Sequence, residues 1–238
     1  MIVQQQERIE HLLHPAGNIA HRVGKLISEN RALKPVYNIY SEAYNLLSKE
    51  LMQLTPDIKV FPRLSNPDET FWAVNAFDGK GIYKWGISVA LVKNKETQLA
   101  IAFLPKKNRF IAVSKRSSPS KYLYVNNNRN ISKASIWMKH AVNATQSIEM
   151  FNKLSRATSN LQEKDSATYS LLAVAGGEIS GYVCMDPKLE DIAAGCLIIE
   201  KAGGRVTDLH GKTWTPFSKS IVATNGLLHD QLLSALNS

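Results

Sequence analysis

Two apolar segments that meet an acid at opposite ends constrain this chain most. The first, Trp72-Ala-Val-Asn75-Ala-Phe-Asp78-Gly79-Lys80, reads as a buried strand running into an Asp-Gly turn. The second, Leu189-Glu190-Asp191-Ile-Ala-Ala-Gly195-Cys-Leu-Ile-Ile-Glu200-Lys-Ala-Gly203-Gly204, reads as a buried helix entered by acids and closed by a glycine pair suited to a left-handed end. Each acid has an ordinary explanation. Asp78 is a common turn residue before glycine, and Asp191 in a first helical turn gains about 0.3–1 kcal/mol from the macrodipole. A carboxylate at a strand end meeting one at a helix start is also how a protein gathers oxygen ligands for a hard cation.

The rest of the chain supplies a fold for these segments. With 238 residues and 44% hydrophobic side chains it can bury a substantial core, as one large or two small domains. No apolar run approaches the roughly 18 residues of a membrane span, and the first residues lack the basic and apolar regions of a secretory signal, so a cytoplasmic location is expected. Cys184 and Cys196 fall in apolar segments and read as packed, reduced thiols. His11, His14 and His21 share helical spacing but have no carboxylate or cysteine at metal-ligand spacing. The net charge of +9 is concentrated between residues 106 and 139, which hold nine lysines and arginines and no acid. That run is either a solvated surface or a contact for nucleic acid or another polyanion. No nucleic-acid motif accompanies it.

Helical spacing over residues 5 to 29 is interrupted by Pro15 and Gly17, which predicts a kink or split, and a second helix is expected from Val36 to Leu54. From Phe71 the period becomes that of strands: Phe71–Phe77, Trp85–Val92, Gln98–Leu104, Arg109–Ser114 and Tyr122–Val125, an antiparallel meander. Beyond Ser135–Met138 helices and strands alternate: helices at Asn143–Asn152, Ser166–Ala175, Asp191–Ala202 and Leu227–Leu236, with strands at Glu178–Cys184 and Ser220–Thr224. Two domains are expected, 1–130 with the N-terminal helices and antiparallel sheet and 131–238 as a smaller α/β unit.

The two opening segments resemble the signatures of the inositol monophosphatase superfamily, the Mg²⁺-dependent, Li⁺-sensitive phosphomonoesterases, whose usual forms are Asp-Pro-Ile/Leu-Asp-Gly-Thr and Trp-Asp-x-Ala-Ala-Gly. Further likeness runs through Ser88-Val-Ala-Leu-Val, Phe103-Leu-Pro105, Arg156, Ser166-Ala-Thr-Tyr with the following Val174–Tyr182, and Ile221-Val-Ala-Thr-Asn-Gly. The resemblance implies an α+β fold, a layered αβαβα sandwich. It also implies Mg²⁺ as cofactor, with Asp78, Asp191 and the Asn75 position as metal ligands, Asp78 and Lys80 at the catalytic centre, and Gly79 and Lys80 at the phosphate. Homodimers are common in that superfamily.

The first signature departs from the pattern where the chemistry lies. Asn75 stands for a ligating aspartate, Ala76 for proline, and Lys80 for the threonine that orients water. The upstream Glu-Glu pair is missing near Phe61-Pro-Arg-Leu, Lys34–Tyr40 replaces the usual Asp-x-Val-Thr-x-Ala-Asp, and Glu190 replaces the tryptophan before Asp191. These departures predict a degenerate metal site with weak or lost phosphomonoesterase activity and a retained phosphorylated small-molecule ligand, with the Lys80 ammonium pairing with Asp78 and Asp191 in place of a metal. Two alternatives stay open. One is an active Mg²⁺-dependent phosphatase of inositol monophosphate, nucleoside 3',5'-bisphosphate or sugar phosphate. The other is a polyanion-binding protein acting through residues 106–139.

Overall fold

The structure, a computed structural model, describes residues 9–30, 36–61, 68–78, 85–118, 123–139 and 143–238. Two helices lead: α1 (Leu13–Asn30) and α2 (Val36–Leu54). Strands β1 (Lys59–Val60), β2 (Phe71–Asp78), β3 (Gly86–Lys93), β4 (Glu96–Leu104) and β5 (Arg109–Ser114) form the first sheet in that order. β1 is parallel to β2, and the other neighbours pair antiparallel.

The second sheet has the order β7-β6-β8-β10-β9, built from β6 (Ser135–Lys139), β7 (Asn160–Glu163), β8 (Gly181–Met185), β9 (Arg205–Thr207) and β10 (Ser220–Thr224). Its helices are α3 (Ala144–Ala157), α4 (Ala167–Ala175), α5 (Leu189–Lys201) and α6 (His229–Asn237). No helix among the described residues is long and apolar enough to cross a membrane.

The alternation of side chains along each strand sorts the core into three slabs. Trp72, Val74, Val89 and Ile101 face α1 and α2 through Val23, Leu47 and Leu51. Phe71, Ala73, Ala90 and Ala102 face the other way, onto α4 and α5, which also receive Tyr182, Cys184 and Ile221 from the second sheet. Met138, Val183 and Val222 on the far side of that sheet meet Leu154 of α3, Leu232 of α6 and Leu228 just before α6. The result is a five-layer αβαβα sandwich whose central layer, α4 and α5, is covered on both faces. The helices there are apolar nearly all round, as that position requires. Gly195 of α5 lies against Leu171 of α4, where a Cβ would come within 2.5 Å of Leu171 Cδ1. Gly203, at φ +85°, ends α5 in the left-handed conformation that the Gly-Gly pair suggests.

Two expectations need correction, and three short strands add to them. α1 is not broken at Pro15 or Gly17: the turn falls at His11–Leu12, and Pro15 occupies the first helical turn, where its missing N–H leaves no bond unmade. Tyr122–Val125 is not a strand over its described part. Leu123–Val125 is irregular, held by Leu123 in the central core and by a Val125 amide bond to the Ala202 carbonyl. The short strands β1, β7 and β9 were not foreseen, because two to four residues carry too little periodicity. Both cysteines are buried and free.

Candidate active site

Asn75 and Asp78 are three residues apart, so strict alternation would put them on opposite faces of the first sheet. The pairing of β2 with β3 slips between them: Asn75 faces Ser88 but Asp78 faces Gly86. Ala76 and Phe77 both turn outward into the α1–α2 core. This bulge returns Asp78 to the inner face, beside Asn75 and toward the starts of α4 and α5.

At α4, Asp78 Oδ2 accepts the Thr168 amide at 2.6 Å and the Ser166 hydroxyl at 3.1 Å. Ser166 is the N-cap and accepts the Tyr169 amide at 3.0 Å. At α5, Asp191 is the third residue, and its two oxygens are both engaged. The Asn75 carboxamide donates from Nδ2 to Oδ1 at 2.9 Å, and the Lys139 ammonium meets Oδ2 at 3.0 Å. The reverse Asn75 orientation would set a carbonyl oxygen against a carboxylate oxygen, so the donating one is required. Ser88, opposite Asn75, completes the floor, its hydroxyl bonded to the Glu190 carbonyl at 3.4 Å and 3.5 Å from Thr168 Oγ1.

Burial and the adjacent Asp191 charge push the Asp78 carboxyl up to about 6, against the smaller opposing pull of the Thr168 amide and Lys139. Burial alone would lower Lys139, but Asp191 and Asp78 outweigh it and hold the amine above its ordinary value, so it is cationic. Burial, reinforced by Asp191, also raises Glu190. Tyr40 of α2 is raised by burial and by Glu190, which brings the end of the atypical Lys34–Tyr40 segment to this site.

The Asp78 shift has a pH signature. Between pH 4 and 6 the native chain retains a proton that an unfolded aspartate has released. That stabilisation is complete below the unfolded value and fades as pH rises through 6. Asn at this position still accepts from Thr168 and Ser166 but cannot ionise. The stability of Asp78→Asn relative to the native protein is therefore expected to rise by on the order of 2–3 kcal/mol from pH 4 to pH 7. Urea denaturation of both proteins across that range checks it, and a difference independent of pH would contradict the assignment.

Of the residues expected at the site, Asn75, Asp78 and Asp191 are gathered in one place. Gly79 and Lys80 lie outside the described residues. The amine that pairs with Asp191 is Lys139, at the end of β6, which the sequence presents only as one cation of the basic run. Other members of that run are also committed: Lys107 and Arg109 to Glu178, and Lys115 to Glu96. Ser166 was visible as a helix-start serine, and Ser88 and Thr168 lay within family-like segments without an assigned role, whereas Tyr40 appeared only as the end of a segment that departs from the pattern.

The donor set does not suit a divalent cation. Mg²⁺ takes an octahedral shell of oxygens with carboxylates among them, whereas here an amide N–H and an ammonium occupy Asp191. Among the described residues no three His, Cys, Asp or Glu side chains are grouped to hold a metal ion. The undescribed stretches flanking β2, Pro-Arg-Leu-Ser-Asn-Pro and Gly-Lys-Gly-Ile-Tyr-Lys, contain no acid to add. His21 packs edge-on against Phe103 and Phe110 in place of ligating.

A family model described as the inositol monophosphatase family matches residues 79–238. A fructose-1,6-bisphosphatase/inositol-1-monophosphatase of Thermotoga maritima is 26% identical over 214 residues, 85% of this chain and 82% of that protein. The Nus factor SuhB of Xylella fastidiosa is 24% identical over 216 residues, 82% of this chain and 78% of that protein. Among solved structures, an inositol monophosphatase from Anabaena superposes with a TM-score of 0.84 at 21% identity, over 97% of this chain and 96% of its own. At that identity the likeness speaks for the fold, and it agrees with the layered sandwich described above.

Proposed function

This chain belongs to the inositol monophosphatase family, and from that premise we propose that it is a degenerate member, with phosphomonoesterase activity weak or lost and a phosphorylated small molecule as its ligand. The observation that carries the reading is the Asn75–Asp191 hydrogen bond: a neutral donor faces the carboxylate where a second acid would share a cation. In-line hydrolysis of a phosphomonoester needs water activated and the leaving oxygen neutralised, work that metal ions do in such enzymes. The residues here supply other things. Asp78, tied to the start of α4, and Asp191, tied to β2 and β6, fix the two central helix N-termini at one end of the layer. Helix N-termini favour anionic groups. Lys80 and the Gly79 amide, next in sequence after Asp78, are the candidate phosphate contacts, with Lys80 in the position of the water-orienting threonine. Lysine offers charge to a phosphate but has no acceptor with which to orient water.

A second reading keeps catalysis, as a Mg²⁺-dependent phosphatase acting on a sugar phosphate or inositol monophosphate. The breadth of the match to the Thermotoga maritima relative favours it. The polyanion reading is the weaker, because Lys107, Arg109, Lys115 and Lys139 have carboxylate partners within the chain. Phosphate release from inositol monophosphates, nucleoside 3',5'-bisphosphates and sugar phosphates, with and without Mg²⁺, separates the readings. The native protein is expected to show little Mg²⁺-dependent turnover, and Asn75→Asp with Lys80→Thr to bind Mg²⁺ more tightly. Brisk native hydrolysis that falls in the double variant would overturn the degenerate reading and make Lys80 a working residue.

A further inference from the structure

Two side chains from separate elements converge on Asp191 of α5: Asn75 from β2 and Lys139 from β6. Lys139 ends β6, opposite Cys184 of the neighbouring strand β8, so backbone pairing fixes where its stem begins. Its side chain is 29% exposed and that of Asp191 10%, so the amine enters from the rim and its charge is spent inside. Asp78 also feels that charge. The cluster has two carboxylates, and the cation between the sheets is one that the chain supplies.

We propose that Lys139 is a resident, covalently tethered cation that holds the Asp78–Asp191 site closed to divalent metal ions. This rests on the degenerate-site reading and deepens it, since it names the group that excludes the metal. Lys139 excludes it in two ways. Its ammonium occupies Asp191 Oδ2, so a metal ion would have to displace it. Displaced but still tethered, it would repel a divalent ion at short range in a partly desolvated site, where charges act strongly. Asn75 adds no compensating charge on the other oxygen. A tethered cation also cannot be removed by chelation.

The test is binding of Mn²⁺ alone, followed by electron paramagnetic resonance and by thermal shift, on the full chain as native protein, Lys139→Gln and Lys139→Arg. Native protein and Lys139→Arg are expected to bind weakly, with melting temperatures that EDTA leaves unchanged. Lys139→Gln, which keeps a polar group but loses the charge, is expected to bind about tenfold tighter or more. Tight native binding that Lys139→Gln leaves unchanged or weakens would overturn both this proposal and the degenerate reading. Weak binding by all three would overturn the role of Lys139 alone and leave the degenerate reading standing. Should Lys139→Gln not fold, the rate of acetylation of Lys139 in the native protein, read by mass spectrometry, takes its place. A rate unaffected by Mn²⁺ supports the resident cation, and one altered by Mn²⁺ rejects it.

Discussion

Replacing Asp191 by alanine is expected to destabilise the protein by about 2–3 kcal/mol at pH 7, somewhat below the cost of breaking a fully buried ion pair because Lys139 reaches the rim. The sign is what matters. Were Asp191 held only near Asp78, removing it would relieve repulsion between like charges and stabilise the fold. With Lys139 and Asn75 both donating to it, removal strands an ammonium and an amide in a largely buried site. Lys139→Met should then recover part of the loss when added to Asp191→Ala, although alone it destabilises. A double-mutant cycle in urea measures the coupling. No coupling, or a more stable Asp191→Ala, would show that the pair contributes nothing to the fold.

Trp72→Ala should cost more, about 3–5 kcal/mol, the usual range for emptying a large aromatic site in a core. Trp72 is fully buried against the α1–α2 layer, and its indole N–H donates to Thr55 Oγ1 at 2.8 Å, just past the end of α2. Its backbone carbonyl accepts the Phe61 amide at 2.8 Å, so one residue ties β2 to both α2 and β1. The deletion therefore leaves a cavity and takes one hydrogen bond from the Thr55 hydroxyl, which keeps only its own to the Leu51 carbonyl. Trp72→Phe should lose less, since it keeps most of the volume and forfeits the hydrogen bond. Equilibrium denaturation of the two variants separates the terms, and a loss under 1 kcal/mol for alanine would argue against a tightly packed outer slab.

Much of the layering was legible because it rests on local periodicity. The second helix, the meander from Phe71 to Ser114 and the buried helix at Asp191 all have patterns long enough to read. Asn75, Asp78 and Asp191 were legible as neighbours through family-like frames. Lys139 was not: its partner lies 52 residues on, and nothing local separates it from lysines that point to solvent. The partners of the basic run were hidden for the same reason, since Glu178 answers Lys107 and Arg109 from about seventy residues away. Leu123–Val125 carries apolar residues for a different purpose, packing and one amide bond, and so imitates a strand. Pro15 reads as a breaker only until the helix start is known.

The slip in β2 has an evolutionary side. A strand carries its faces in a count of two, so the inward position of Asp78 depends on how many residues precede it as much as on its being an aspartate. Were the same three-residue step paired without the slip, Asp78 would turn toward the outer helices and lose its bonds to the start of α4, with every side chain of the site still present. Drift by substitution, as at Asn75, can alter the chemistry while the frame survives. Drift that closed the slip without shortening the strand would take the frame itself.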